Sequence, residues 1–136
     1  MLPKICRDSC GSSPRRGAPR MRRFNTGSFG VDQGSRVLFS DFADGGVMWT
    51  GQGPRESRFI VTFKEAFLEP PVVSLGVSMW DMDHKHNSRA DLTAENVTEN
   101  GFHIVFRTWG DTRVARVRAD WIAIGPVQDE DNWQLY

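Results

Sequence analysis

Long apolar runs and cysteine are what this sequence most lacks, and both absences narrow the class of protein. No stretch of the 136-residue chain approaches the ~20 consecutive apolar residues of a membrane-spanning helix, so no membrane insertion is expected. The charged N-terminus is not followed by the apolar core of a secretory signal, and we expect a soluble protein, either cytoplasmic or exported by another route. The two cysteines, Cys6 and Cys10, lie in this N-terminal stretch, so we expect no disulfide in the folded part.

The chain also lacks an excess of charge of either sign. Its 17 Lys and Arg balance 17 Asp and Glu, which gives no reason to expect a nucleic-acid partner. The basic residues are concentrated in residues 1–23, within a Gly-, Ser-, Pro- and Arg-rich segment that we expect to be a disordered tail over residues 1–34. Such a tail is either solvated or holds an anionic surface, and Met21 within it is a candidate start. Residues 127–136 are expected to form an acidic C-terminal tail.

Helical periodicity is missing as well. No stretch of 10 to 12 residues has the i, i+3, i+4, i+7 apolar spacing of a helix. Residues 35–126 instead consist of short alternating segments separated by turn residues, which predicts an all-β fold, a six-stranded antiparallel β-sandwich. The predicted strands are residues 37–42, 58–63, 72–79, 89–97, 102–109 and 113–124. The predicted core residues are Phe63, Val73, Leu75, Phe102, Phe106 and Trp121.

The segment from residue 102 to 124 has the pattern of a β-hairpin with a Trp at its tip. Gly110 can supply the positive φ that a type II′ turn needs at its first central position. We expect Trp109 to be partly exposed there, where its ring could stack on the apolar face of a sugar while Asp111 accepts hydroxyl hydrogen bonds. The alternative for Trp109 is a core residue at the end of a strand.

A polar loop after the third predicted strand holds the second group of candidates. Arg89 offers a planar fork of five donors that suits adjacent sugar hydroxyls, although a surface ion pair is its commoner role. Asp81, Asp83, His84 and His86 lie close together in the sequence and could bind a divalent ion, although loops also collect these residues for turn chemistry alone. Their spacing matches no closed metal motif, so we expect no metal at this loop.

No pattern of catalytic residues is present. The sequence contains no Gly-x-Ser-x-Gly elbow, no phosphate-binding loop and no His coupled to a Ser or Cys nucleophile. A glycosidase needs two carboxylates at a defined separation, but among 17 acids some pair is always available. The sequence therefore predicts a protein that is not an enzyme and has no cofactor.

Several spaced elements of the sequence agree at once with one known family. They are Phe63, Phe67, Pro70-Pro71-Val72-Val73, Asp81, Asn87, Arg89, Gly101-Phe102, Thr108-Trp109, Asp111-Thr112 and Trp121-Ile122-Ala123-Ile124. In this order they resemble the H-type lectin domain, found in snail agglutinins and at the C-terminus of the discoidins, over residues 58–125. The resemblance implies a six-stranded β-sandwich that assembles as a trimer, with a shallow, metal-free site for galactose or N-acetylgalactosamine between subunits.

The resemblance also implies roles for single residues. Arg89 matches a family arginine that hydrogen-bonds the sugar, and Trp109 matches a tryptophan at the edge of the binding site. Gln52 aligns near a family Asp in the loop before the second strand. Gly110 stands where the snail agglutinin has a sugar-contacting His, and Ala115 stands where it has a Tyr. The chain therefore departs from the family pattern at three of these positions.

Two functions follow from these observations. The first is a homotrimeric lectin, or a multiple of trimers, that binds glycans or glycoconjugates, as in cell adhesion. Its predicted sugar-binding residues are Gln52, Arg89, Trp109, Gly110 and Asp111. The second is a structural trimerisation or assembly module with a degenerate sugar site, which Gly110 and Ala115 favour.

Two further expectations concern the surface. Arg107, Arg116 and Arg118 alternate outward on the last two predicted strands, and three cations on one sheet face need acids nearby or on a partner subunit. This pattern favours an oligomer. The glycosylation sequon at residues 96–98 is expected to be unused, because no secretory signal precedes it.

Overall fold

A computed structural model describes residues 20–25 and 27–129 of the chain. Within these residues lie six strands and two single-turn helices. In chain order they are β1 (Phe29–Ser40), α1 (Asp41–Asp44), α2 (Val47–Thr50), β2 (Arg55–Thr62), β3 (Val72–Met82), β4 (Asp91–Glu95), β5 (Gly101–Thr108) and β6 (Val114–Pro126). The cysteines and most of the predicted N-terminal tail, like residues 130–136, fall outside the described residues.

Two three-stranded antiparallel sheets make up the fold, which confirms the predicted all-β, six-stranded sandwich. One sheet has the order β1-β6-β3 and the other has the order β2-β5-β4. The last two strands, β5 and β6, are the central strands of their sheets, where both edges are paired. None of the helices in the described part of the chain is long and apolar enough to cross a membrane.

The predicted hairpin over residues 102–124 is wrong, because β5 and β6 do not pair. They lie in opposite sheets, and residues 109–113 carry the chain from one sheet to the other. The period-two pattern identified the buried face of each strand correctly, but it carries no information about which strand is the partner. Five residues are enough to cross the ~10 Å between two stacked sheets.

The first strand begins earlier than predicted, at Phe29 instead of residue 37, so the expected tail boundary at residue 34 lies inside a strand. Its early part has few apolar side chains and is held by backbone pairing with β6. Gly34 lies under the indole ring of Trp121, where a Cβ atom would approach the ring to 2.7 Å. The early part of β1 therefore depends on backbone pairing and on a residue without a side chain, neither of which produces a hydrophobic pattern. The helices α1 and α2 escaped prediction because a single turn shows no periodicity.

The core between the sheets combines phenylalanine rings with buried Val, Ile, Ala and Met side chains. Phe63, Phe102 and Phe106 are buried, as predicted. The other three predicted core residues, Val73, Leu75 and Trp121, are half-buried and pack against the cluster that contains Phe63 and Phe102. Phe102 and Trp121 meet edge to face across the two sheets with their ring centroids 5.5 Å apart.

The three outward arginines do not share a sheet face, which corrects that expectation. Arg107 lies on β5, whereas Arg116 and Arg118 lie on β6 in the other sheet. Arg107 donates from Nε to Glu56 at 3.1 Å and from Nη2 to Glu95 at 3.0 Å. These acids belong to the same chain, so Arg107 gives no argument for a partner subunit.

Phe106 offers a test of this packing. Replacing its benzyl side chain by a methyl group (Phe106→Ala) leaves a cavity between the sheets and should lower the free energy of unfolding by about 3–5 kcal/mol. The control is Ile60→Ala on the exposed face of the neighbouring strand β2, which should change it by less than about 0.5 kcal/mol. Urea unfolding of both variants measures the difference, and equal effects would contradict the described core.

Candidate functional site

Three loops meet at one end of the sandwich. The loop after α2 joins the β5–β6 connection through the N–H of Gly53, which donates to the carbonyl of Gly110 at 2.9 Å. The loop between β3 and β4 joins the same connection twice. The N–H of Asp83 donates to the carbonyl of Arg113 at 3.0 Å, and the hydroxyl of Thr112 donates to the carbonyl of Asn87 at 2.6 Å. The three loops therefore form one connected surface.

A shallow hollow of about 230 Å³ opens between these loops, and we call it the cradle. Its lining is polar, with a carboxylate, a carboxamide, an imidazole, a guanidinium and a hydroxyl. The lining residues are Thr50, Gly51, Gln52, His86, Asp111 and Arg113. The cradle therefore presents both donors and acceptors within a small area.

The buried side chain of Arg55 holds two of the three loops together. Its guanidinium donates to the carbonyls of Gly53 at 2.9 Å, Met48 at 3.2 Å, Val47 at 3.3 Å and Gly110 at 3.2 Å. Burial lowers the pKa of Arg55 from its usual value, but a guanidinium stays charged under ordinary conditions. One cation thus fixes α2, the following loop and the turn at Gly110 relative to one another.

Arg89 and Asp111 form an ion pair beside the cradle. Nη1 of Arg89 lies 2.5 Å from Oδ1 of Asp111, and this hydrogen bond lowers the pKa of the Asp111 carboxyl below its ordinary value. The backbone of Gly110 is left-handed, with φ of 71°, which confirms the positive φ predicted there. A Cβ at Gly110 would lie 2.9 Å from Nη1 of Arg89. The absence of a side chain at Gly110 therefore lets the guanidinium lie against the turn.

Trp109 faces a different surface from the cradle. Its side chain is 44% exposed, as expected for a residue at the edge of a site. It lines a separate hollow together with Pro54, Glu56 and Arg107. Of the five predicted sugar-binding residues, the structure brings Gln52, Arg89, Gly110 and Asp111 together, and it leaves Trp109 apart. A single chain does not assemble the whole predicted set.

The candidate metal ligands at the end of β3 and in the β3–β4 loop make pairwise contacts. Oδ2 of Asp83 lies 2.7 Å from Nδ1 of His86, and Oδ2 of Asp81 lies 3.5 Å from Nη2 of Arg116. Among residues 20–25 and 27–129 there is no group of three or more Cys, His, Asp or Glu side chains that could hold a metal ion. The side chains of this loop make pairs instead of a cluster.

Sequence reasoning predicted only Gln52 and Asp111 among the six residues that line the cradle, and the most notable of the four it missed are His86 and Arg113. The sequence indicates His86 only as a possible metal ligand, and it places Arg113 at the first residue of a predicted strand. Arg113 donates from Nε to the carbonyl of Trp49 at 2.9 Å, and its guanidinium carbon lies 4.6 Å from the centroid of the Trp49 ring. This contact depends on α2, which the sequence pattern did not predict. The only feature of the sequence that could have pointed to Arg113 was its position two residues after Asp111.

A two-sheet β-sandwich with a polar hollow formed by loops at one end is an architecture that small binding modules use. Residues 58–124 match the model of the H-type lectin domain. The chain belongs to the H-type lectin domain family, a family of carbohydrate-binding domains. The resemblance inferred from spaced residues is thereby confirmed.

Known relatives place the chain more closely. It is 68% identical over 108 residues to the protein named ATP synthase subunits region ORF 7 of Fuscovulum blasticum, covering 79% of this chain and 94% of that one. It is 37% identical over 75 residues to discoidin-1 of Dictyostelium discoideum, covering 54% of this chain but only 30% of that one. The structure of recombinant discoidin II of the same organism superposes with a TM-score of 0.64 at 25% identity, over 77% of this chain and 40% of that chain. The chain thus spans less than half the length of the discoidins it matches.

Gly110 provides a test of the site geometry. In Gly110→Ala the left-handed backbone becomes strained and the new Cβ displaces Arg89, which should lower the free energy of unfolding by about 1–2 kcal/mol. The control is Gly76→Ala, where nothing lies within 4 Å of the added Cβ, and stability should stay the same or rise by up to about 1 kcal/mol. Urea unfolding compares the two, and a neutral Gly110→Ala would contradict the described turn.

Proposed function

We propose that the protein is a non-catalytic, trimeric lectin that binds galactose- or N-acetylgalactosamine-type sugars at shallow sites between subunits. One observation carries the proposal. Four predicted sugar-binding residues gather around the cradle, while Trp109 is exposed on a separate hollow of the same chain. An assembly in which Trp109 of one subunit faces the cradle of the next would complete the set.

The chemistry of the cradle supports a sugar ligand. The carboxylate of Asp111 accepts hydrogen bonds from hydroxyl groups, and the bond from Arg89, which lowers the pKa of this carboxyl, favours its ionised form. Arg113 donates hydrogen bonds, and the carboxamide of Gln52 both donates and accepts them. Adjacent sugar hydroxyls need this mixture, and an exposed indole supplies the apolar surface on which a pyranose ring stacks.

An exposed apolar row supports the subunit contact. Val31 of β1, Ile124 of β6 and Val72 of β3 are in register across the outer face of one sheet, and all three are exposed. Adjacent apolar residues on a sheet face commonly mark a protein interface. Several shallow sites on one assembly also add avidity to low single-site affinity, which suits binding to glycoconjugates and a role in cell adhesion.

A second candidate is a structural trimerisation or assembly module with a degenerate sugar site. Ala115 is buried, so it presents no side chain to a ligand, and Gly110 has no side chain to present. In this alternative the sandwich and its apolar row persist, and the cradle binds no sugar. The alternative therefore differs from the lectin proposal in one measurable property.

Arg89→Ala tests the sugar site. Removing the guanidinium leaves Asp111 without its partner, and binding on a glycan array should weaken about tenfold to a hundredfold. Arg58→Ala is the control. Its side chain is 34% exposed, compared with 32% for Arg89, but it lies on β2, on the outer face of the β2-β5-β4 sheet. If Arg89→Ala melts and assembles like the wild type and binds equally well, the site assignment is wrong. If a verified wild-type trimer binds no glycan on the array, the assembly module is favoured.

Ile124→Lys tests the subunit contact. A charge in the middle of the apolar row should disfavour assembly, so light scattering should report a mass near that of the 15.4 kDa monomer. The same substitution at Ile60, an exposed residue on the outer face of the other sheet, should leave the trimer intact. A trimeric Ile124→Lys protein would exclude this row as the interface.

A further inference from the structure

We infer that His86 is a sugar-contacting residue of the cradle and that Asp83 is the residue that positions its ring. The inference rests on the proposed sugar-binding function, and it adds a ligand contact that the predicted set of site residues does not include. It starts from the position of His86, whose side chain lines the cradle together with Gln52, Asp111 and Arg113.

The imidazole ring is held in one orientation. Nδ1 of His86 lies 2.7 Å from Oδ2 of Asp83, and the other oxygen of that carboxylate accepts the N–H of Lys85 at 2.9 Å. The bond from Lys85 lowers the pKa of Asp83, and the bond to His86 acts in the same direction. An ionised Asp83 holds the hydrogen of the imidazole on Nδ1. The ring is thereby fixed both in position and in tautomer.

The second ring nitrogen is left for a ligand. Within the described residues, Nε2 of His86 makes no hydrogen bond, while the side chain is only partly exposed. In the neutral ring with its hydrogen on Nδ1, Nε2 is an acceptor. A sugar hydroxyl can therefore donate to Nε2 of His86 in the same cradle where Asp111 accepts from another hydroxyl.

The backbone of the loop that carries Asp83 and His86 is also fixed. The N–H of Asp83 donates to the carbonyl of Arg113, and further along the loop the carbonyl of Asn87 accepts from Thr112. Both bonds join the loop to the β5–β6 connection that supplies Asp111. The distance between the His86 ring and the Asp111 carboxylate is therefore set by short backbone links, as a specific two-point contact requires.

The test is a titration of free N-acetylgalactosamine by calorimetry into the wild-type protein and its variants. His86→Ala should weaken binding about fivefold to tenfold, and Asp83→Ala should weaken it by a smaller factor through loss of ring orientation. His84→Ala is the control, because His84 is 88% exposed, compared with 34% for His86, and does not line the cradle. It should bind like the wild type.

A second measurement keeps the inference testable if His86→Ala fails to fold. In the wild-type protein, adding the sugar should shift the ¹⁵N resonance of Nε2 of His86 and leave that of His84 unchanged. Wild-type binding with neither a His86→Ala effect nor a shift would overturn the role of His86 and leave the lectin function standing. If neither the wild-type protein nor Arg89→Ala binds sugar, the proposed function is overturned, and this inference with it.

Discussion

The geometry of the cradle depends on the guanidinium of Arg55. A buried cation is stable only when its donors are satisfied, and here the satisfying groups are backbone carbonyls of α2, of the following loop and of the turn at Gly110. Removing the guanidinium would leave the carbonyls of Met48 and Gly53 without this donor, at a cost of about 1–3 kcal/mol for each group that stays buried. The loop after α2 and the β5–β6 connection thus share one support, which fixes the backbone positions of Gln52 and Asp111 relative to each other.

The sequence predicted the layers of the fold better than its connections. Alternation identified the buried faces around Phe102 and Phe106 because burial depends on side-chain period. It failed at the β5–β6 connection because strand pairing is a long-range property that no local pattern encodes. It also missed the early part of β1, where backbone pairing and the contact between Gly34 and Trp121 replace apolar side chains.

The candidate site was predicted in part for the same reason. Arg89 and Asp111 could be proposed from chemistry and family resemblance, and they do meet. Their meeting, however, depends on an inter-sheet crossing whose sequence has the local pattern of a hairpin. The roles of His86 and Arg113 could not be predicted, since each is defined by a site that distant segments of the chain build together. The exposure of Trp109 was predicted from the sequence. Its separation from the cradle could be seen only in the folded structure.

The bonds that shape the cradle end on backbone atoms. Arg55 donates to carbonyl oxygens, and the hydroxyls of Thr108 and Thr112 donate to the carbonyls of Arg89 and Asn87. The side chain of Gln52, which lines the hollow, takes part in none of these bonds. Ligand preference can therefore drift in evolution by substitution at positions such as Gln52, while the supporting framework stays intact. In a scaffold of this kind, the residues that determine the shape of the site differ from those that determine which ligand it binds.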